Sequence, residues 1–154
     1  MAAEKPAAQG GTGGGAISFI VPGNPVGKGR PRVATRGRFA QLYTPEKTAS
    51  YESLVKLSGY RAMEGRQLIL DAVAVSLEIL VPIPASWSQK KRAQALAGLI
   101  HPTTKPDIDN VEKAIFDGLN GIAWKDDVQV VRVIKAKRYS AAPCVQVSIS
   151  PVAH

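Results

Sequence analysis

Apolar residues recur along this chain in two periods, and the switches between them lay out the expected elements. Ile17, Phe19 and Val21 stand two apart, the spacing of a strand with one face on a core. Pro22-Gly23-Asn24-Pro25 ends that strand. Val26 to Phe39 keeps neither period; Gly and Arg dominate it, which predicts an exposed loop or irregular hairpin with Arg36-Gly37 at its tip. Thr44-Pro45-Glu46-Lys47 reads as an N-cap followed by proline at the first helical position. Tyr51, Leu54, Val55, Ser58 and Ala62 then fall on one helical face, and Gly65 closes the helix. The period of two returns at Val73, Val75, Leu77, Ile79 and Val81, a long strand stopped by Pro82 and Pro84. Ser86 with Gln89 reads as a capping box opening a basic helix to about Leu99. A third helix is expected from about Asn110 to Leu119, then strands near Val128 to Lys137 and Val145 to Ile149. The pattern predicts a small single α+β domain over residues 16–150, a mixed β-sheet with about three helices, rather than a doubly wound sheet. Residues 1–15, rich in Gly and Ala without periodicity, read as a flexible tail outside the fold.

With 154 residues there is room for one core. A single cysteine, Cys144, makes no intrachain disulfide, and one Cys with two His is too few for a four-ligand zinc site. The N-terminus lacks the apolar run of a signal peptide, and the longest apolar stretch, Ala72 to Pro84, is broken by Ser76, Glu78 and two prolines. No membrane association is expected, and a cytoplasmic location follows. Charge adds a second pattern. The chain carries 20 Lys+Arg against 12 Asp+Glu, a net of +8, and a basic surplus speaks to polyanionic partners. Lys28, Arg30, Arg32, Arg36 and Arg38 stand together with no acid among them, as do Arg132, Lys135, Lys137 and Arg138. Lys90, Lys91, Arg92 and Lys105 form a third unopposed set. Residues 106–127 hold six of the twelve acids and two of the twenty bases, so the remainder of the chain carries +12.

That acidic island is where chemistry is expected. Pro106 keeps Lys105 out of the helical region, so the chain enters extended. Residues two apart in an extended segment project together, which would pair the carboxylates of Asp107 and Asp109. Asp109 then sits at a helix N-cap with Glu112 completing a capping box, and Lys113 lies one turn on, on the same face. Asn120-Gly121 ends the helix in a turn, and Trp124-Lys125-Asp126-Asp127-Val128-Gln129 leads into a strand that can return one of its two acids to the first pair. Three carboxylates without Cys or His favour Mg²⁺ or Mn²⁺ over zinc. The same residues also fit a cap, a dipole partner and an i,i+4 ion pair on a solvated helix.

Lys105 to Val130, KPDIDNVEKAIFDGLNGIAWKDDVQV, closely resembles the RusA family of endodeoxyribonucleases, the Holliday-junction resolvases of bacteria and their phages. Gly27-Lys28-Gly29-Arg30-Pro31-Arg32 and Tyr43-Thr44-Pro45 look like the phage-type branch, so the likeness spans about residues 16–150. The resemblance implies a RusA-like α+β fold acting as a homodimer and Mg²⁺- or Mn²⁺-dependent paired nicks in a four-way DNA junction, with no small-molecule cofactor. It implies Asp107, Asp109 and Asp127 as metal-binding catalytic acids and Lys113 as the essential lysine, selecting Asp127 over Asp126. The family's best-known resolvases carry an arginine run before the first acid where this chain has Lys105-Pro106. The loop bearing Lys28, Arg30, Arg32, Arg36 and Arg38 is expected to supply that charge as phosphate contacts. A structure-selective nuclease for flaps or forks, and a non-catalytic DNA-binding prophage remnant, are the alternatives. Trp87 and Trp124 are expected as packing anchors, His101 as a loop residue, and Cys144 as a small buried apolar group.

Overall fold

The computed structural model describes the backbone of residues 15–29, 32–36, 39–43 and 46–152, and side chains in the first and last of these ranges. The expected tail up to residue 14, the hairpin tip at Gly37, the Thr44-Pro45 cap and the side chains of Arg30, Arg32, Arg36 and Arg38 lie outside the described residues. In chain order the elements are β1 (Ile17–Pro22), β2 (Arg32–Arg36), β3 (Phe39–Tyr43), α1 (Glu46–Met63), β4 (Val73–Val81), α2 (Gln89–Leu96), α3 (Ile108–Leu119), a 3-10 turn (Asp127–Gln129), β5 (Val130–Tyr139) and β6 (Cys144–Pro151). This is the expected α+β arrangement, with a mixed sheet and three helices.

Four strands form the main sheet in the order β1-β6-β4-β5. β6 runs antiparallel to both β1 and β4, while β5 joins β4 in parallel after the chain crosses over through α2 and α3. β2 and β3 make a separate antiparallel hairpin in which Arg36 stands opposite Phe39. Alternation decides which sheet face is covered. Ile17, Ile149 and Val75 form one row across the sheet, Phe19, Val147 and Leu77 the next, and Val21, Val145 and Ile79 a third. On β5 these rows end at Val133, Lys135 and Lys137.

Against this face pack Tyr51, Val55 and Met63 of α1 and Val111, Ala114, Ile115 and Leu119 of α3, all buried. Each fully buried aliphatic side chain contributes about 1.5–3 kcal/mol of transfer free energy. The two helices approach so closely that a Cβ on Gly118 would lie 2.6 Å from Val55 Cγ1, and one on Gly59 2.5 Å from Leu119 Cδ2. Only glycine permits that crossing without moving its neighbours.

Two helix starts differ from the sequence pattern. α2 begins at Gln89 with Ser88 as N-cap, its hydroxyl accepting from the Lys91 N–H at 3.1 Å, so the Ser86–Gln89 box is not the one used. The chain first turns at Pro84, whose carbonyl accepts from Trp87 N–H, and Trp87 packs edge-on against Tyr139 at 5.2 Å between ring centroids. α3 begins at Ile108, so Asp107 occupies the N-cap and Asp109 lies inside the first turn. Glu112 does not close a box on Asp109, because its carboxylate is taken by Lys135 of β5 at 2.6 Å. Trp124 is fully buried and Cys144 is buried, as expected, and His101 is exposed in the loop before α3.

Candidate active site

Two clusters flank α3, one at each end. At its start, the Lys105–Pro106 peptide is cis and leads into Asp107. Asp107 caps the helix by position only: its carboxylate makes no backbone cap bond and receives Asn110 Nδ2 at 3.4 Å. With the helix already formed at Ile108, Asp107 and Asp109 are not paired by an extended chain; two residues of helix turn them about 200° apart. Asp109 is 90% exposed at its side chain, and its carboxylate lies 3.2 Å from Lys135 Nζ.

β5 braces this end from below. Lys135 Nζ bridges Asp109 and Glu112, and Lys137 Nζ donates to the carbonyls of Thr104 at 2.8 Å and Pro106 at 2.9 Å. Hydrogen bonding to Glu112 lifts the pKa of Lys135, opposed by burial and reinforced by Asp109. From above, the segment following β1 settles on α3: Lys28 N–H donates to Asn110 C=O at 2.8 Å, and Gly29 N–H to Thr48 Oγ1 at 3.0 Å. A Cβ on Gly27 would come 3.0 Å from Asn110 Cβ, so glycine permits the approach. Between segment and helix lies an open groove of about 560 Å³ lined by Val26, Lys47, Thr48, Lys105, Asp107 and Asn110 among others.

The Lys28 side chain turns inward. Its ammonium lies 2.6 Å from Glu52 of α1 and 3.0 Å from Asp117 of α3. Burial lowers its pKa, but the hydrogen bonds to Glu52 and Asp117 outweigh that and leave it above the ordinary lysine value. Lys113 is 61% exposed and meets Asp117 at 3.4 Å, the i,i+4 pairing its spacing allows.

At the far end of α3, the Trp124 indole N–H donates to Asn120 Oδ1 at 2.7 Å, and Asn120 Nδ2 lies 3.4 Å from Asp127 Oδ2. The neighbouring acid serves differently. Asp126 caps the 3-10 turn by accepting from Val128 N–H, while Gln129 Oε1 returns to the Lys125 and Asp126 amides. Gln129 Nε2 also donates to the Ile69 and Asp71 carbonyls, tying the turn to the start of β4. Spacing alone left Asp126 and Asp127 equivalent; in the fold Asp126 is occupied as a cap and Asp127 faces Asn120.

Asp107 and Asp109 therefore stand at one end of α3 and Asp127 at the other. The helix has 12 residues, a length of about 18 Å at about 1.5 Å per residue. Among the described residues no three His, Cys, Asp or Glu side chains converge closely enough to hold a metal ion. The carboxylates suit a hard divalent ion in donor type, but one chain does not gather all three around one point. From the sequence, Lys135 and Lys137 stand only in an unopposed basic set, Asn120 only as a turn residue and Trp124 only as a packing anchor, so their positioning roles were missed. The only local signal was the alternation of Lys135 and Lys137; which face they take depends on their register with Leu77 and Ile79.

Residues 22–150 match the family described as Endodeoxyribonuclease RusA. The chain belongs to the RusA family. It is also 38% identical over 138 residues to "Uncharacterized protein YqaN" of Bacillus subtilis (strain 168), covering 88% of this chain and 96% of that protein. RusA membership makes the acid-bearing helix and its flanking turn parts of an endodeoxyribonuclease-family domain. No helix among the described residues is long and apolar enough to cross a membrane.

Proposed function

We propose that this RusA-family protein is a Mg²⁺-dependent endonuclease, with Mn²⁺ as a substitute, that resolves four-way DNA junctions by paired symmetric nicks as a homodimer in recombination and repair. The observation that carries this reading is the start of α3, where Asp107 lines a groove with Lys47 and Lys105 on its walls and the neighbouring Asp109 is exposed. Asp107, Asp109 and Asp127 are the residues to hold the ion, and a divalent ion there would polarise the scissile phosphate and lower the pKa of a bound water. The groove lysines hold the DNA backbone without reading its bases, and Arg30, Arg32, Arg36 and Arg38 add further phosphate contacts. Lys113, one helical turn beyond Asp109 and largely exposed, orients the attacking water or steadies charge developing on the phosphate.

The same geometry supports the homodimer. A trio split across about 18 Å of helix is completed when a second copy brings its own Asp127 end to the Asp107–Asp109 end of the first. Two-fold symmetry then creates two such sites, matching the symmetry of a four-way junction. The test is Asp109→Asn on an immobile four-way junction in Mg²⁺. Cleavage is expected to be lost while junction binding persists; retained cleavage would sink the assignment. Parallel assays on flaps, forks and linear duplex read substrate choice, and nicks confined to flaps or forks would replace the junction reading.

A further inference from the structure

The glycine-flanked Lys28 stands in a basic run whose obvious use is phosphate contact. Its ammonium is already engaged. It reaches Glu52 at 2.6 Å and Asp117 at 3.0 Å, and all three side chains are about four-fifths buried. Two carboxylates around this ammonium, one of them shared with Lys113, leave Lys28 no charge to spare for an approaching phosphate. The backbone on either side is fastened as well: Lys28 N–H to Asn110 C=O, Gly29 N–H to Thr48 Oγ1, and Gly27 against Asn110 with no room for a Cβ. α1, α3 and the segment between β1 and β2 thus meet at one lysine, four residues before the hairpin strand that begins at Arg32.

We infer that Lys28 is a latch that fixes where the chain leaves α1 and α3 on its way to the β2–β3 hairpin, and is a positioning residue for DNA rather than a phosphate contact. The inference rests on the DNA-binding part of the proposed function. Its logic is geometric. A hairpin held only by its root would sweep a wide arc, whereas an ammonium fixed between two helices sets where the strand leaves. Pre-ordering a binding segment removes the cost of ordering it on association. A raised lysine pKa agrees with a group kept charged for its two carboxylates.

The two roles predict opposite signs for one substitution. Glu52→Ala removes a negative charge from the DNA-facing side, so if Lys28 contacts phosphate, freeing it tightens binding. If Lys28 is a latch, Glu52→Ala weakens binding. We expect several-fold weaker binding of a labelled four-way junction, measured by anisotropy in EDTA, for Glu52→Ala and for Lys28→Met alike. The double variant should be little worse than either, as expected for residues acting through one interaction. For Lys28→Met the slope of log affinity against log salt should stay unchanged, whereas a lost phosphate contact lowers it by about 0.9. Hydrogen exchange without DNA provides the independent readout: both variants should speed exchange across residues 26–43 and leave Val111 to Leu119 protected. Tighter binding by Glu52→Ala, or unaltered exchange in 26–43, overturns the latch. Faster exchange with a wild-type chain that ignores junction DNA keeps the latch and defeats the proposed function.

Discussion

Trp124 combines a packing role with a polar one. Its ring is fully buried and meets Phe116 edge-on at 5.5 Å, while its N–H holds Asn120, which in turn faces Asp127. Trp124→Phe keeps most of the ring and removes the donor. The Asn120 acceptor left unpaired costs about 1–3 kcal/mol, and the smaller ring adds to that, so the thermal midpoint should fall. On the proposed function, Asp127 also loses its oriented neighbour: nicking should drop while junction affinity stays near wild type, and full nicking by a destabilised variant would break the link. The anchoring role of Trp124 was legible in the sequence, because a large aromatic next to a turn seldom finds another place to bury its surface. The hydrogen-bond chain was not. It depends on the 3-10 turn, which also separates Asp126 from Asp127, and that turn is set by Gln129 reaching carbonyls of Ile69 and Asp71 some sixty positions away.

At the scale of elements, α3 was readable from its apolar stripe but not from its polar signs. Val111, Ala114, Ile115, Gly118 and Leu119 are buried as their spacing requires. The start was misplaced because Asp109 and Glu112 imitate a capping box, and nothing local reveals that β5 claims both carboxylates through Lys135. The strand itself explains the claim. Lys135 and Lys137 continue sheet rows that are apolar on β4 and β6, and their charged ends reach past that face, Lys135 to Asp109 and Glu112 of α3 and Lys137 to the carbonyls just before the helix. The pKa of Lys135 is raised in the folded chain, so the folded state binds that proton more tightly than the unfolded one. Its contribution is present in full below the ordinary value of 10.5 and is lost as pH rises through the folded value. The stability margin of wild type over Lys135→Met, followed by denaturant midpoints, should accordingly be flat through neutral pH and narrow once pH climbs past 10.5. A margin that widened in that range would contradict the ion-pair role.

For the whole molecule, the sheet order β1-β6-β4-β5 and the parallel step from β4 to β5 had no local signature, since they follow from where α2 and α3 carry the chain. The acids were legible as residues and as a segment; their distribution was not, because a helix of 12 residues turns nearness in sequence into separation in space. On the proposed function that separation makes a sharp prediction about assembly. Chains carrying Asp109→Asn and chains carrying Asp127→Asn should each be inactive as homodimers. Unfolded together and refolded as an equal mixture, they assort so that roughly half the dimers are mixed. If each site draws its Asp107–Asp109 pair from one copy and Asp127 from the other, a mixed dimer holds one intact site and one doubly defective site. Nicking of a four-way junction should return, but in one strand rather than in a symmetric pair. If all three acids served within a single chain, both sites of a mixed dimer would each lack one acid, and the mixture would stay as inactive as its parts.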